Sequence, residues 1–129
     1  MPPITLVNPP TVHSTGGRYA HGARVEGAAR RLVISGQVGI APDGTVAEGA
    51  EAQMHQALAN MKAILAAEGM GFADVVKMTV FLTGTGQIPA WRTARTAAME
   101  GAVSASTLLV VSALADPRFL MEVEAEAVA

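Results

Sequence analysis

The chain contains no cysteine in 129 residues. That excludes disulfides, thiolate nucleophiles and zinc–sulfur centres. Aromatic residues are also scarce, with one Trp, one Tyr and three Phe. The core must therefore be built from Ala, Val, Leu, Ile and Met. Small side chains each bury little area, and burial is worth about 25 cal/mol per Å². A domain of this kind gains from covering a further face with a partner, so a homo-oligomer closed by symmetry is expected. Charge of either sign is sparse: the net charge is −2 and Arg30-Arg31 is an isolated basic pair. No basic stripe is present, which argues against a nucleic-acid partner. No apolar run approaches the roughly 20 residues of a membrane span. The opening Met1-Pro2-Pro3-Ile4-Thr5 lacks the charged and long apolar regions of a secretory leader, so a cytoplasmic protein without a membrane partner is expected.

Several chemical markers are missing as well. His13, His21 and His55 do not stand at metal-ligand spacing, so no metal is expected. There is no Gly-x-Gly-x-x-Gly, no Walker loop and no Gly-x-Ser-x-Gly, which leaves nucleotide cofactors and serine-hydrolase chemistry without support.

What is present is strong patterning. Met121 to Val128 alternates strictly, placing Met121, Val123, Ala125 and Ala127 on one strand face and Glu122, Glu124 and Glu126 on the other. Three like charges on one face are unfavourable unless something solvates or uses them. They read either as the solvated face of an edge strand or as a face with one glutamate in a site. The run Ser106-Thr107-Leu108-Leu109-Val110-Val111 before it reads as a strand that offers hydroxyls but no cation.

Three further strands are expected near the N-terminus: Ile4–Val7, a stretch around Ala23–Glu26, and Arg31–Ser35. The last two flank a Gly27-Ala28-Ala29 turn and read as a hairpin. Ala41-Pro42-Asp43-Gly44 has turn chemistry. Met54, Leu58, Met61 and Leu65 recur at helical spacing, predicting a helix from Gly49 to Glu68 that stops at Gly69. The Met stripe is core rather than cofactor ligand. Val75–Thr83 reads as a strand, and a second helix spans Ile88–Met99 with Pro89 in its first turn. Its face of Ile88, Trp91, Arg95 and Ala98 is only partly apolar.

The order is β-β-β-α-β-α-β-β. It implies one α/β (α+β) domain over residues 1–129, with a six-stranded mixed sheet, a parallel crossover and two helices on one face. The other face must meet water or a partner. Val33, Val80, Val110 and Val123 are the residues expected to make it apolar.

The stretch Leu32-Val33-Ile34-Ser35-Gly36-Gln37-Val38 followed by Pro42-Asp43-Gly44 resembles the RidA/YjgF family of reactive-intermediate deaminases, also called L-PSP endoribonucleases. So do Gln53, Gln56, Leu58 and Asn60 to Ile64, the strand Val75 to Leu82, and the closing Met121 to Val128. The resemblance covers the chain from about Gly17 onward. It implies a chorismate-mutase-like fold and a homotrimer with clefts between subunits. It also implies cofactor-free hydrolysis of 2-enamine or 2-imine acids to 2-keto acids and ammonia.

Carried over by position, the resemblance makes Glu122 the catalytic, water-handling residue. Tyr19, Ser35 and Gly36 match the family's substrate-binding positions. The carboxylate-binding arginine is absent: Ser106 holds its place, followed by Thr107 and Leu108. Arg92 stands where the family has an asparagine. A bidentate arginine–carboxylate contact is worth about 1.5–3 kcal/mol, and a serine cannot supply it. The expected enzyme is therefore a deaminase-type hydrolase with weak or no 2-iminopropanoate deaminase activity, its substrate uncharged at that end or anchored by Arg92. The alternative is a non-catalytic trimer that binds a small metabolite. The acidic balance disfavours a ribonuclease.

Overall fold

The computed structural model describes residues 3–129. Met1 and Pro2, at the head of the segment inspected for a leader, lie outside the described residues. The strands are β1 (Ile4–Val7), β2 (Gly22–Val25), β3 (Arg31–Gln37), β4 (Val75–Leu82), β5 (Ala105–Val110) and β6 (Met121–Val128). Helix α1 spans Ala50–Ala67 and α2 spans Ile88–Met99. The β-β-β-α-β-α-β-β order expected from the sequence is present.

The strands do not form one six-stranded sheet. They divide into a β1-β2 ribbon and a four-stranded sheet ordered β3-β6-β4-β5. β4 and β5 are parallel, joined by the α2 crossover, and β6 runs antiparallel to both of its neighbours. The expected hairpin between β2 and β3 is not formed. β2 turns back onto β1, pairing Ile4 with Val25 and Val7 with Gly22. β3 is drawn instead to β6, where the backbone N–H groups of Ala29 and Arg30 both donate to the Ala129 carbonyl. The apolar alternation of β6 also has a different context from the edge strand it resembles. β6 is central, with both of its backbone edges paired.

Both helices cover one face of the sheet. Met54, Leu58, Met61 and Leu65 of α1 are buried against Met78, Val80 and Leu82 of β4 and Met121, Val123 and Ala125 of β6. Gly69 takes φ 68° just past the helix end, the left-handed conformation a helix stop favours. The sequence expectation for the uncovered face was only partly right. Val80 and Val123 are buried under the helices, whereas Val33 is 63% exposed on the open face. That face is mixed. It carries Arg31, Val33, Thr79, Leu109 and the three glutamates, by the alternation of each strand.

Gln53 is the one α1 polar side chain in the core, at 2% exposure. Its Nε2 donates to the carbonyls of Ala47 and Arg118, and its Oε1 accepts from the Leu120 N–H. It thus pins the segment leading into β6 to the helix. Gly39 lies directly against it: a Cβ there would sit 2.6 Å from Gln53 Cβ and 2.5 Å from its Cα. Helix backbone cannot swing aside as a side-chain tip can. Gly39→Ala is therefore expected to cost about 1–3 kcal/mol and to lower Tm by several degrees, read by thermal unfolding. An unchanged Tm would mean that α1 is free to shift.

No helix among the described residues is long and apolar enough to cross a membrane.

Candidate active site and its relatives

Two groups of polar residues stand out, on different parts of the sheet. The first surrounds Glu122. β3 and β6 fall out of register between Ile34 and Gln37, where Ile34 faces Ala125 and Gln37 faces Val123. β3 thus spends one extra residue, a bulge at Ser35-Gly36. Bulges re-aim side chains and recur beside active sites. Here the bulge brings Gly36 under the Glu122 carboxyl group. A Cβ on Gly36 would lie 2.7 Å from Glu122 Cδ. Glycine here is what lets the Glu122 carboxylate rest over the bulge; no special backbone angle calls for it.

The remaining glutamates of β6 are used differently. Glu126 accepts from Arg31 Nε and NH2, the latter at 2.9 Å. Glu124 is exposed and sits opposite Thr79. Like-charge repulsion along β6 is therefore relieved by Arg31 at one end and by water in the middle, while Glu122 is aimed at the bulge.

The second group lines a cavity of about 310 Å³. The β5 edge contributes Ser106, Thr107 and Leu108, and α2 contributes Trp91, Arg92 and Arg95. The loop before β2 contributes Arg18 and Tyr19. That loop is held on the sheet edge, since the Ala20 N–H donates to the Ser104 carbonyl at 2.9 Å and Ala20 bridges Ala105 in parallel. Within it, the rings of Tyr19, His13 and His21 stack edge-on, and Tyr19 Oη lies 3.5 Å from His13 Nε2.

Five of the eight residues proposed from the sequence thus share one cavity: Tyr19, Arg92, Ser106, Thr107 and Leu108. Glu122, Ser35 and Gly36 do not line it. β4 stands between β6 and β5, and Glu122 pairs across it with Phe81 while Ser106 aligns with the inward-facing Met78. Two strand spacings of ~4.8 Å separate the two groups laterally, with the register offset in addition.

Sequence reasoning missed Arg18, Trp91 and Arg95. The signal for the last two was visible as an aromatic and a cation one turn apart on an otherwise apolar helix stripe, with Arg92 adjacent. Arg18 carried no signal, because its place depends on how the loop docks. The apparent lack of a cation at Ser106 is also revised: guanidinium groups reach the same cavity from α2 and the loop. Burial, followed by the neighbouring charges of Arg92 and Arg18, pulls the Arg95 guanidinium below its ordinary pKa. An arginine remains protonated under such pressure, so the cavity is cationic.

No group of three or more His, Asp or Glu among the described residues is arranged to hold a metal ion.

Relatives agree with this architecture. A 2-iminobutanoate/2-iminopropanoate deaminase from Salmonella typhimurium is 39% identical over 75 residues, which is 56% of this chain and 59% of the relative's length. A Rid-family protein of unknown function from Yersinia pestis, YyfB, superposes with a TM-score of 0.90 at 31% identity, covering 98% of this chain and 99% of that one. Escherichia coli TdcF, crystallised with bound serine, superposes with a TM-score of 0.72 at 25% identity over 86% of this chain and 87% of its own. Residues 11–129 match the family described as Endoribonuclease L-PSP, and with that span the chain belongs to the RidA/YjgF family.

Proposed function

We propose that this protein is a cofactor-free hydrolase of small imines or enamines, working as a homotrimer in clefts between subunits. The observation that carries the reading is Arg92, which lines the same cavity as Ser106 and so brings a guanidinium to where the strand itself has none. In this proposal Arg92 holds the substrate's anionic group, with Tyr19 and Ser106 supplying hydroxyls around it. Glu122, cradled on Gly36, takes a proton from water as its oxygen attacks the C=N carbon. The proton passes to nitrogen to give a carbinolamine; Glu122 then relays the hydroxyl proton to that nitrogen as the C–N bond breaks, and a carbonyl compound and ammonia leave.

The trimer belongs to the proposal because the two residue groups do not meet within one chain. A neighbouring copy lying against the half-exposed open face would bring its own cavity toward Glu122. Light scattering checks this: the expected mass is three times that of the chain, and a monomer at assay concentration would remove the shared cleft.

The activity test supplies freshly generated 2-iminopropanoate and follows pyruvate and ammonia. The expected result is turnover well below that of the Salmonella relative, because the guanidinium approaches from a helix rather than from position 106. Turnover matching the relative would show that position 106 is not where anchoring is decided. A second reading, a trimer that binds a metabolite without turning it over, is favoured by the replacement of the strand arginine by Ser106. It would be supported by ligand-induced thermal stabilisation without ammonia release from any imine offered.

A further inference from the structure

We propose that the cavity accepts a substrate bearing two separated negative charges, of the dicarboxylate type, rather than a simple 2-imino monocarboxylate. This rests on the reading above that the cavity is the substrate site, and it narrows the substrate class.

The chain has seven arginines, and they fall into two sets. Arg24, Arg30, Arg31 and Arg118 each lie within reach of a carboxylate, at 3.5, 3.7, 2.9 and 2.9 Å from Glu26, Glu68, Glu126 and Asp116. Arg18, Arg92 and Arg95 have no carboxylate partner among the described residues, and all three line the one cavity. The molecule thus pairs every arginine except those that meet there. Arg92 and Arg95 stand one helical turn apart on the same face of α2. Arg95 is no longer exposed, and its charge is opposed by the other two. Arg18 and Arg92 are exposed and only Arg95 is half-buried, but three like charges brought to one cavity repel one another and favour the arrival of a counter-charge.

A single carboxylate carries one negative charge and neutralises only one of the three guanidiniums. It would leave the remaining cations facing each other. The shape of the site provides for a second anionic group. A smaller recess of about 250 Å³, lined by Gly17, Thr96 and Ala102 among others, adjoins the main cavity, and Arg18 and Arg95 line both. One anionic end can therefore sit beside Arg92 and Ser106 while the other lies at the Arg18–Arg95 partition. The main cavity is at the small end of the range for ligand sites, which calls for a compact chain between the two groups.

Trp91 is the chain's single tryptophan and lines this cavity, so its fluorescence reports occupancy. Glutarate, butyrate and inorganic phosphate are titrated into the intact oligomer. Glutarate is expected to bind about tenfold more tightly than butyrate, roughly one further charge-assisted contact, and more tightly than phosphate. In Arg95→Gln the ratio of glutarate to butyrate affinity should collapse toward one, whereas Arg92→Gln should weaken both ligands. If Arg95→Gln does not fold, Arg18→Gln probes the same partition. Equal affinities for glutarate and butyrate, with imine turnover intact, overturn this inference and leave the proposed function standing. Phosphate as the tightest ligand also overturns it, marking a compact oxyanion site. If none of the three binds, the cavity is not the substrate site and both readings fall.

Discussion

Glu122→Gln is expected to lower imine hydrolysis by about 10²–10⁴-fold, the usual range for loss of a positioned general base, with little change in Tm. The two halves of that result have separate causes. Glu122 is only half-buried, and the hydrogen-bonded and ion-paired contacts of the described residues do not run through its side chain, so an isosteric amide leaves packing alone. The amide cannot accept a proton from water, so the chemical step fails. Gly36→Ala should act on the same step from the other side. Its methyl group would occupy the space of the Glu122 carboxyl group, and the carboxylate, being the end of a flexible side chain, would swing away at small cost in stability. The pair of variants separates a catalytic role from a structural one: the fold should survive both while turnover survives neither. Full activity in Glu122→Gln would remove this residue from the mechanism and shift weight to the binding-only reading.

Gln53→Leu is expected to be the most destabilising single substitution of a polar residue, on the order of 3 kcal/mol. Leucine fills nearly the same volume, so no large cavity opens. The loss comes from three backbone groups left without partners: the Ala47 and Arg118 carbonyls and the Leu120 N–H. Each buried orphan costs about 1–3 kcal/mol, less where water can reach it. The segment before β6 should loosen as a consequence. Urea denaturation should show a lower midpoint with nearly unchanged slope, and Gln53→Glu should rescue little, because a carboxylate cannot donate to the two carbonyls. Wild-type stability in Gln53→Leu would mean that water already satisfies these groups.

Much of the fold was legible because its signals are local. The α1 stripe and the alternation of β6 are periodicities set by backbone geometry, and both are present as expected, with Met54, Met61, Leu65, Met121 and Val123 fully buried. The strand pairing was not legible. Choosing between β2 and β6 as the partner of β3 depends on contacts nearly a hundred residues apart, and no turn residue encodes that. Of the two readings of the glutamate face, the edge strand is excluded by the same distant pairing. A polar face beside an apolar one describes a central strand as well as an edge strand when one side of the sheet is left uncovered. At the site, the Ser35-Gly36 motif was recognisable, but its physical basis, a carboxylate lying over the glycine, required β6 to be in place. The arginine cluster was hidden because Arg18 is far from Arg92 and Arg95 in sequence, and only the docking of the loop on Ser104 and Ala105 unites them.

The central position of β6 sets an order of events for the nascent chain. β3 and β4 bond to each other only through this strand, which follows both of them in the sequence. While it is still being synthesised, the two strands lack their common neighbour and the edges that β6 will cover stay open. The sheet therefore closes late and through distant contacts, a topology that slows folding and leaves unpaired edges available to other chains in the interval. The same strand carries Glu122. A chain that has failed to close its sheet lacks the cradled carboxylate as well, so under the proposed mechanism the competence to react would be acquired in the same step that completes the fold.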